Sequence, residues 1–353
     1  MRDGALLVRR RRLVAALAGG LAAALAAWLL LSYFQPLKGD GHGEVRVVIP
    51  KGAGVGDIAD LLERRGVVSS SFFFSLRAHL SGKGSDLKPG SYRLREDMSN
   101  GAALAVLVKG PRPDIVTLTI PEGRSRREVA RIVGRSLSSS YLAASRRSRL
   151  LDPRRYGARH ATSLEGFLFP ATYTLRRGSP VRLLVEQQLT AFRRSFAGVR
   201  LRYARSKNLT AYDVLTIASM VEREAAVASE RPRVAAVIYN RLRRRMPLQI
   251  DATLRFALDN WTRPLRRSQL RTPSTYNTYT HLGLPPGPIG SPGLASIRAA
   301  AQPARASYLF YVVKPGTCGH AFARTYAEFL RLKARYDRAR ARLGGRSPAN
   351  CPG

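Results

Sequence analysis

The chain has 353 residues, room for two or three folded units with sizeable cores, and its 45% hydrophobic and 24% charged residues exclude wholesale disorder. Sixty Lys and Arg against 23 Asp and Glu give a formal net charge of +37, but 52 of those 60 are Arg and 8 are Lys. That skew reads as a general taste for Arg, so the charge is discounted as a functional signal. Two cysteines exclude a disulfide-built miniprotein and zinc modules of repeated Cys-x-x-Cys.

Leu13 to Phe34 reads LVAALAGGLAAALAAWLLLSYF, twenty-two residues without a charge. As a helix it is about 33 Å long, enough for a hydrocarbon core of about 30 Å. Arg9, Arg10, Arg11 and Arg12 precede it, which makes residues 1–12 a cytoplasmic basic tail and places everything after Gln35 outside. Trp28, Tyr33 and Phe34 suit the outer interface. The rival is a cleaved signal peptide, but Ala-x-Ala triplets such as Ala16-Leu17-Ala18 lie inside the apolar run, which is long for a signal core. The expectation is an uncleaved single-pass anchor over 13–34 in the cell membrane. Outside it, Cys318 and Cys351 are the pair available for a disulfide that would pin the C-terminal tail; two buried free thiols are the alternative.

A polar, Gly-rich linker follows at 35–44. Val45 to Leu62 (VRVVIPKGAGVGDIADLL) is then echoed by Val116 to Val133 (VTLTIPEGRSRREVARIV) at an offset of 71. Each copy predicts a strand, a Pro-Gly turn and an amphipathic helix. With a strand at Tyr92-Arg93-Leu94 and a short helix at Ala102 to Val108, residues 45–112 read as a compact β-α-α-β module. Residues 113–345 form a larger α/β unit, and 346–353 a tail. Within that unit Ser163 to Leu175 is a loop or strand pair interrupted by Pro170, and Pro180 opens a helix to about Phe196. Thr210-x-x-Asp213 is a capping box that starts a helix to about Ala228; Ser229 with Pro232 starts another, to about Arg245. Pro285 to Gly293 (PPGPIGSPG) is an irregular loop, and a strand and a charged helix close the unit, stopped by Gly344 and Gly345. The fold class is α+β.

In TAYDVLTIASMVEREAAVASE, the residues Val214, Ile217, Met220, Val221 and Val227 form one apolar stripe. Glu222 and Glu224 lie about 200° apart on that helix, so they cannot serve one site. One turn from Glu222 stand Ala218, Ser219, Ala225 and Ala226, all small, a face that can floor a groove. A poorly hydrated carboxyl holds its proton to higher pH than an exposed one and can act as a general acid. Glu224 leans to the apolar stripe and is expected to pair with an Arg. A solvated face residue is the plain alternative for either.

The runs Ile217 to Leu254, Thr272 to Gly293 (TPSTYNTYTHLGLPPGPIGSPG), Leu164 to Tyr173 (LEGFLFPATY) and Gly319-His320-Ala321-Phe322 resemble, also in their order along the chain, the endolytic murein transglycosylases (the MltG/YceG-like family). The resemblance extends from the anchor to about residue 340. It implies a LysM-like identity for the 45–112 module and a catalytic domain at 113–345. It further implies a lyase that cuts nascent peptidoglycan between N-acetylmuramic acid and N-acetylglucosamine, ends strand elongation, and uses the first glutamate of Val-Glu-x-Glu, here Glu222, as catalyst. Membrane-bound peptidoglycan synthases are the partners it implies. Arg223 stands where the family often has Lys, and Ala252 where it often has Pro.

A lytic transglycosylase manages with one carboxyl, because the sugar's own 6-hydroxyl closes a 1,6-anhydro ring and no water needs activating. A hydrolase needs two, and Asp251 is the candidate for the second. Gln249, Asp251, Tyr276, Asn277, Thr278 and Tyr279 are the expected substrate-binding residues: rings for pyranose C–H faces, amide and hydroxyl groups for sugar hydroxyls. Their plain alternatives are a turn and a half-buried strand. Glu165 is a further acid, more readily structural. His281 and His320 show no acidic partner at triad spacing, and the 5 scattered His support neither a metal nor a cofactor. Besides the lyase and the hydrolase, a non-enzymatic, membrane-anchored wall-binding or division scaffold remains open. A nucleic-acid binder is disfavoured, since no reading motif accompanies the charge.

Overall fold

The computed structural model describes residues 3–35, 38–134 and 136–351, with backbone alone for 3–16, 32 and 34. The side chains of Arg9 to Arg12, and Pro36 and Leu37 of the linker, lie outside the described ones. The chain divides into two compact units, Met1–Pro113 and Asp114–Gly353.

The first unit comprises α1 (Asp3–Phe34), β1 (His42–Ile49), α2 (Val55–Arg64), α3 (Ser71–Leu80), β2 (Gly90–Glu96) and α4 (Asn100–Lys109). β1 and β2 pair antiparallel, Val47 opposite Tyr92, and bury alternate side chains against α2, α3 and α4. The apolar run at 13–34 is continuous helix, and Leu17, Leu21, Leu25, Trp28 and Leu30 on it are exposed. Among the described residues no helix is long and apolar enough to cross a membrane; described side chains of α1 cover 17–31 and 33. Just after α1, Gln35 accepts the Asn100 N–H at 2.7 Å, and Arg77 donates to the Tyr33 carbonyl at 3.2 Å.

The second unit runs β3 (Ile115–Thr119), α5 (Arg126–Val133), α6 (Tyr141–Ala144), β4 (Thr172–Arg176), α7 (Arg182–Ala197), α8 (Arg202–Arg205), α9 (Ala211–Glu224), α10 (Arg231–Arg243), α11 (Asp251–Leu258), α12 (Leu294–Ala301), β5 (Phe310–Val313), β6 (His320–Ala323) and α13 (Tyr326–Arg342). β3 pairs antiparallel with β4, Leu118 opposite Tyr173, and β5 with β6. The molecule is thus a mixed helix-and-strand fold of antiparallel strand pairs. The sequence echo is visible as structure. In both copies a strand and turn lead to a helix whose third residue reaches back to the backbone: Asp57 accepts the Gly54 N–H at 3.0 Å, and Glu128 the Ser125 N–H at 2.9 Å.

Two expectations about α9 change. Val214 to Val221 are buried without interruption, so α9 is the central helix of the unit and not one with a single apolar stripe. It also ends at Glu224, four residues early, because Ala225 is extended (φ −90°, ψ 96°). An alanine favours continuing a helix, so tertiary packing sets this stop: the break lets α10 turn back and pack on α9. The Cys318–Cys351 disulfide is formed, with Cα atoms 4.6 Å apart; around it Gly316 N–H donates to the Pro348 carbonyl and Asn350 N–H to that of Thr317.

The 285–293 loop lies against α9 and the β3–α5 turn. Gly123 N–H donates to Ser291 O at 2.7 Å and Ser291 N–H to Arg124 O at 3.0 Å. Gly290 permits this approach, since a Cβ there would stand 2.1 Å from the Gly123 carbonyl oxygen. Gly290→Ala should therefore cost about 3 kcal/mol or more, read as a fall in chemical-denaturation stability. Gly198→Ala, where a Cβ meets nothing within 4 Å, should leave stability within about 1 kcal/mol of wild type.

Candidate active site

α9 carries Glu222 on its last turn, with its side chain 6% exposed. Its two oxygens are held from different elements: Arg231 Nη2 of α10 donates to Oε1 at 3.2 Å, and the Gly293 N–H at the start of α12 donates to Oε2 at 2.8 Å. Arg231 is itself aimed by donating Nε–H to Ser296 Oγ at 3.0 Å. Ala218 and Ser219 do not floor an open groove as expected. Ser219 Oγ accepts the Ile289 N–H at 3.0 Å and both residues are buried, because the Gly- and Pro-rich loop covers that small face.

Glu122, in the turn after β3, joins this group. It is an exposed residue whose carboxyl is partly desolvated; that desolvation raises its proton affinity, the charge of Glu222 raises it further, and Arg231 opposes both. Sequence reasoning missed it and Arg231. The signal was in the echo, where the offset that aligns Pro50 with Pro121 puts Glu122 opposite Lys51.

Glu224 faces elsewhere, as its helical angle requires. Among the described residues it does not pair with an Arg: its Oε2 accepts the Tyr311 hydroxyl at 3.0 Å. Burial pushes its carboxyl up, the Tyr311 bond opposes, and the nearby Asp251 charge adds to the rise. Asp251 opens α11, is exposed, and accepts the Tyr279 hydroxyl at 2.5 Å. Gln249 is exposed too, and Tyr276 is half-buried with its ring 4.9 Å from that of Phe256. Asn277 and Thr278 are not placed to meet a sugar. Both are buried: Asn277 Nδ2 donates to the carbonyls of Leu270 and Thr272, and Thr278 Oγ1 accepts the Ile250 N–H at 2.9 Å. Their polar atoms hold the turn together. His320 has the acidic partner that sequence spacing hid: Glu230 accepts from its backbone N–H and meets Nδ1, each at 2.8 Å.

Behind the site, Glu128 is a buried junction. It accepts from Ser125 N–H and Oγ–H, pairs with Arg124 at 2.7 Å and with Arg223, whose guanidinium carbon lies 3.6 Å from the Trp261 ring centre. Burial alone would raise its carboxyl; the Ser125 N–H and the two guanidiniums overcome that and hold it below the usual range. Glu165 lies under the first turn of α5, both oxygens 3.1 Å from the Arg126 N–H. Among the described residues no three His, Cys, Asp or Glu side chains are grouped to hold a metal ion.

The YceG-like family profile matches residues 47–335. The chain is 32% identical over 317 residues to the endolytic murein transglycosylase of Streptococcus pneumoniae strain R6, which covers 80% of this chain and 56% of that protein. It is 27% identical over 322 residues to the endolytic murein transglycosylase of Bacillus subtilis strain 168, covering 86% and 88%. The chain therefore spans 56% of the length of the streptococcal relatives. A crystal structure of a YceG-like protein from Listeria monocytogenes matches with a TM-score of 0.55 at 28% identity, over 82% of this chain and 99% of that one.

Glu165 gives the site's surroundings a pH dependence. Burial pushes its carboxyl up to about 7, against the Arg126 N–H and guanidinium that lower it. The folded protein thus holds this proton where the unfolded chain has released it. The contribution is fully present below about pH 4.5 and is lost as pH rises to about 7, about 3 kcal/mol in all. Denaturation of wild type and Glu165→Gln between pH 4.5 and 8 should show wild type losing stability relative to the variant over that interval, and no further loss above it.

Proposed function

The chain belongs to the YceG-like family, and from that premise we propose that it is an endolytic murein transglycosylase. In this reading it is a lyase that cleaves peptidoglycan glycan between N-acetylmuramic acid and N-acetylglucosamine, leaves 1,6-anhydro-muramic acid ends and so ends strand elongation. The observation that carries the reading is the placement of Glu222: one desolvated carboxyl, oriented through both oxygens by Arg231 and the Gly293 N–H. Its position in Val-Glu-x-Glu is the one that the sequence resemblance implies for the catalyst.

The steps need no second carboxyl. Protonated Glu222 gives its proton to the glycosidic oxygen, and the C1–O bond breaks with its electron pair leaving on that oxygen. The carboxylate takes the proton of the muramic 6-hydroxyl as O6 bonds to C1, which restores the acid and consumes no water. Arg231 and the Gly293 N–H stabilise the carboxylate between the two transfers. Sugar recognition falls to Gln249, Asp251, Tyr276 and Tyr279, the members of the expected set that retain exposure. The hydrolase alternative is not favoured, because Asp251 is bonded to Tyr279 and its charge acts on Glu224.

The uncharged run 13–34, helical throughout and exposed over 17–31, supports a single-pass anchor with the chain after it outside the cell membrane. On that footing the β-α-α-β module is a LysM-like glycan holder, and membrane-bound peptidoglycan synthases, which make the strands, are the neighbours. Mass spectrometry of uncrosslinked glycan strands treated with the full chain in detergent tests the reading. Internal fragments with 1,6-anhydro ends are expected from wild type, and at least about a thousandfold fewer from Glu222→Gln. Reducing ends carrying added water would make it a hydrolase, and intact strands that co-sediment with the protein would make it a binding module.

A further inference from the structure

Glu222 does not meet its cation alone. Gly293, whose N–H it accepts, has a second acidic neighbour: a Cβ built on Gly293 would lie 1.9 Å from Glu122 Oε1 and 2.1 Å from its carboxyl carbon. The Glu122 carboxyl therefore fills the space that the missing side chain leaves open. Two carboxyls converge on one backbone residue, and one guanidinium, Arg231, acts on both.

The turn that carries Glu122 is fixed. Its Gly123 N–H donates to the Ser291 carbonyl, and a Cβ on Gly123 would stand 3.1 Å from Glu222 Cγ. The charged groups that face the pair are Arg231 from α10 and the N-terminal end of α12. Arg223, next to Glu222 on α9, is turned to Glu128 and Trp261. With both carboxyls ionised, two negative charges face one positive; one proton brings the group to neutrality. Arg231 and the Gly293 N–H each donate to Glu222, one to each oxygen.

We propose that Glu122 is a positioning residue for the reaction: its carboxylate, seated against Gly293, offsets Arg231 and keeps on Glu222 the proton that is delivered to the glycosidic oxygen. The inference rests on the reading of Glu222 as the acid.

The test is the pH profile of kcat/KM for anhydro-end formation, measured on full-chain wild type, Glu122→Gln and Glu122→Asp. Glu122→Gln should move the high-pH limb down by about one unit, lowering the rate about tenfold above it, with KM within about twofold of wild type. Glu122→Asp, which keeps the charge on a shorter stem, should recover part of the shift. Gln has nearly the same shape as Glu and fills the same space beside Gly293, so thermal midpoints of wild type and Glu122→Gln should agree. Coincident profiles would overturn the proposal, as would a loss in Glu122→Gln that is uniform in pH and appears in KM, which would make Glu122 a sugar contact. A wild type without anhydro ends, or a fully active Glu222→Gln, would instead sink the reading on which the inference stands.

Discussion

The buried hydroxyl of Ser219 donates to the Thr216 carbonyl and accepts the N–H of Ile289, and through it the 285–293 loop is laid on the small side of α9. Much of the site follows from that contact. The loop backbone reaches the β3–α5 turn and exchanges hydrogen bonds with Gly123 and Arg124. Gly293 is delivered to Glu222, α12 starts there, and Ser296 on α12 aims Arg231. The carboxyl is thus held on one oxygen by main chain and on the other by a guanidinium that the same loop and helix set in place. Small residues on α9 matter because they let a second backbone approach, a different use from the open groove their size suggested.

Buried charge is handled by a separate arrangement. Glu128 sits inside the unit with two guanidiniums and a helix-start N–H, and Arg223 is sandwiched between that carboxylate and the Trp261 ring. A pair this well surrounded ties α5 to α9, though removing one partner alone would strand the other's charge. Its place beside Glu222 has an electrostatic consequence as well. Arg223 is turned to Glu128 and Trp261, and among the described residues the guanidinium that reaches Glu222 is that of Arg231.

Much of this was legible in the chain. The capping box at Thr210 and Asp213, the irregular Pro-Gly loop and the strand-turn-helix echo depend on local rules, and each appears where those rules place it. Opposite facing of Glu222 and Glu224 followed from helical geometry alone. What local rules could not supply was partnership across long separations. Glu230 and His320 lie 90 residues apart, and Tyr311 and Glu224 lie 87 apart. Asn277 and Thr278 have the right chemistry for sugar but are drawn inward by the carbonyls of Leu270 and Thr272 and the N–H of Ile250. Residue type advertises what a side chain can bind; only packing decides what it does bind.

The Cys318–Cys351 bridge lies in the same unit as Glu222 and brackets β6 and α13. Such a bond closes only where an oxidant can reach the thiols. On the proposed topology the bridge is therefore a record of which side of the bilayer the unit has occupied. Chains whose second unit stays with the reducing cytosol keep two titratable thiols, and chains exported to an oxidising face have none. Trapping free thiols in intact cells would sort the two populations by address, independently of any activity.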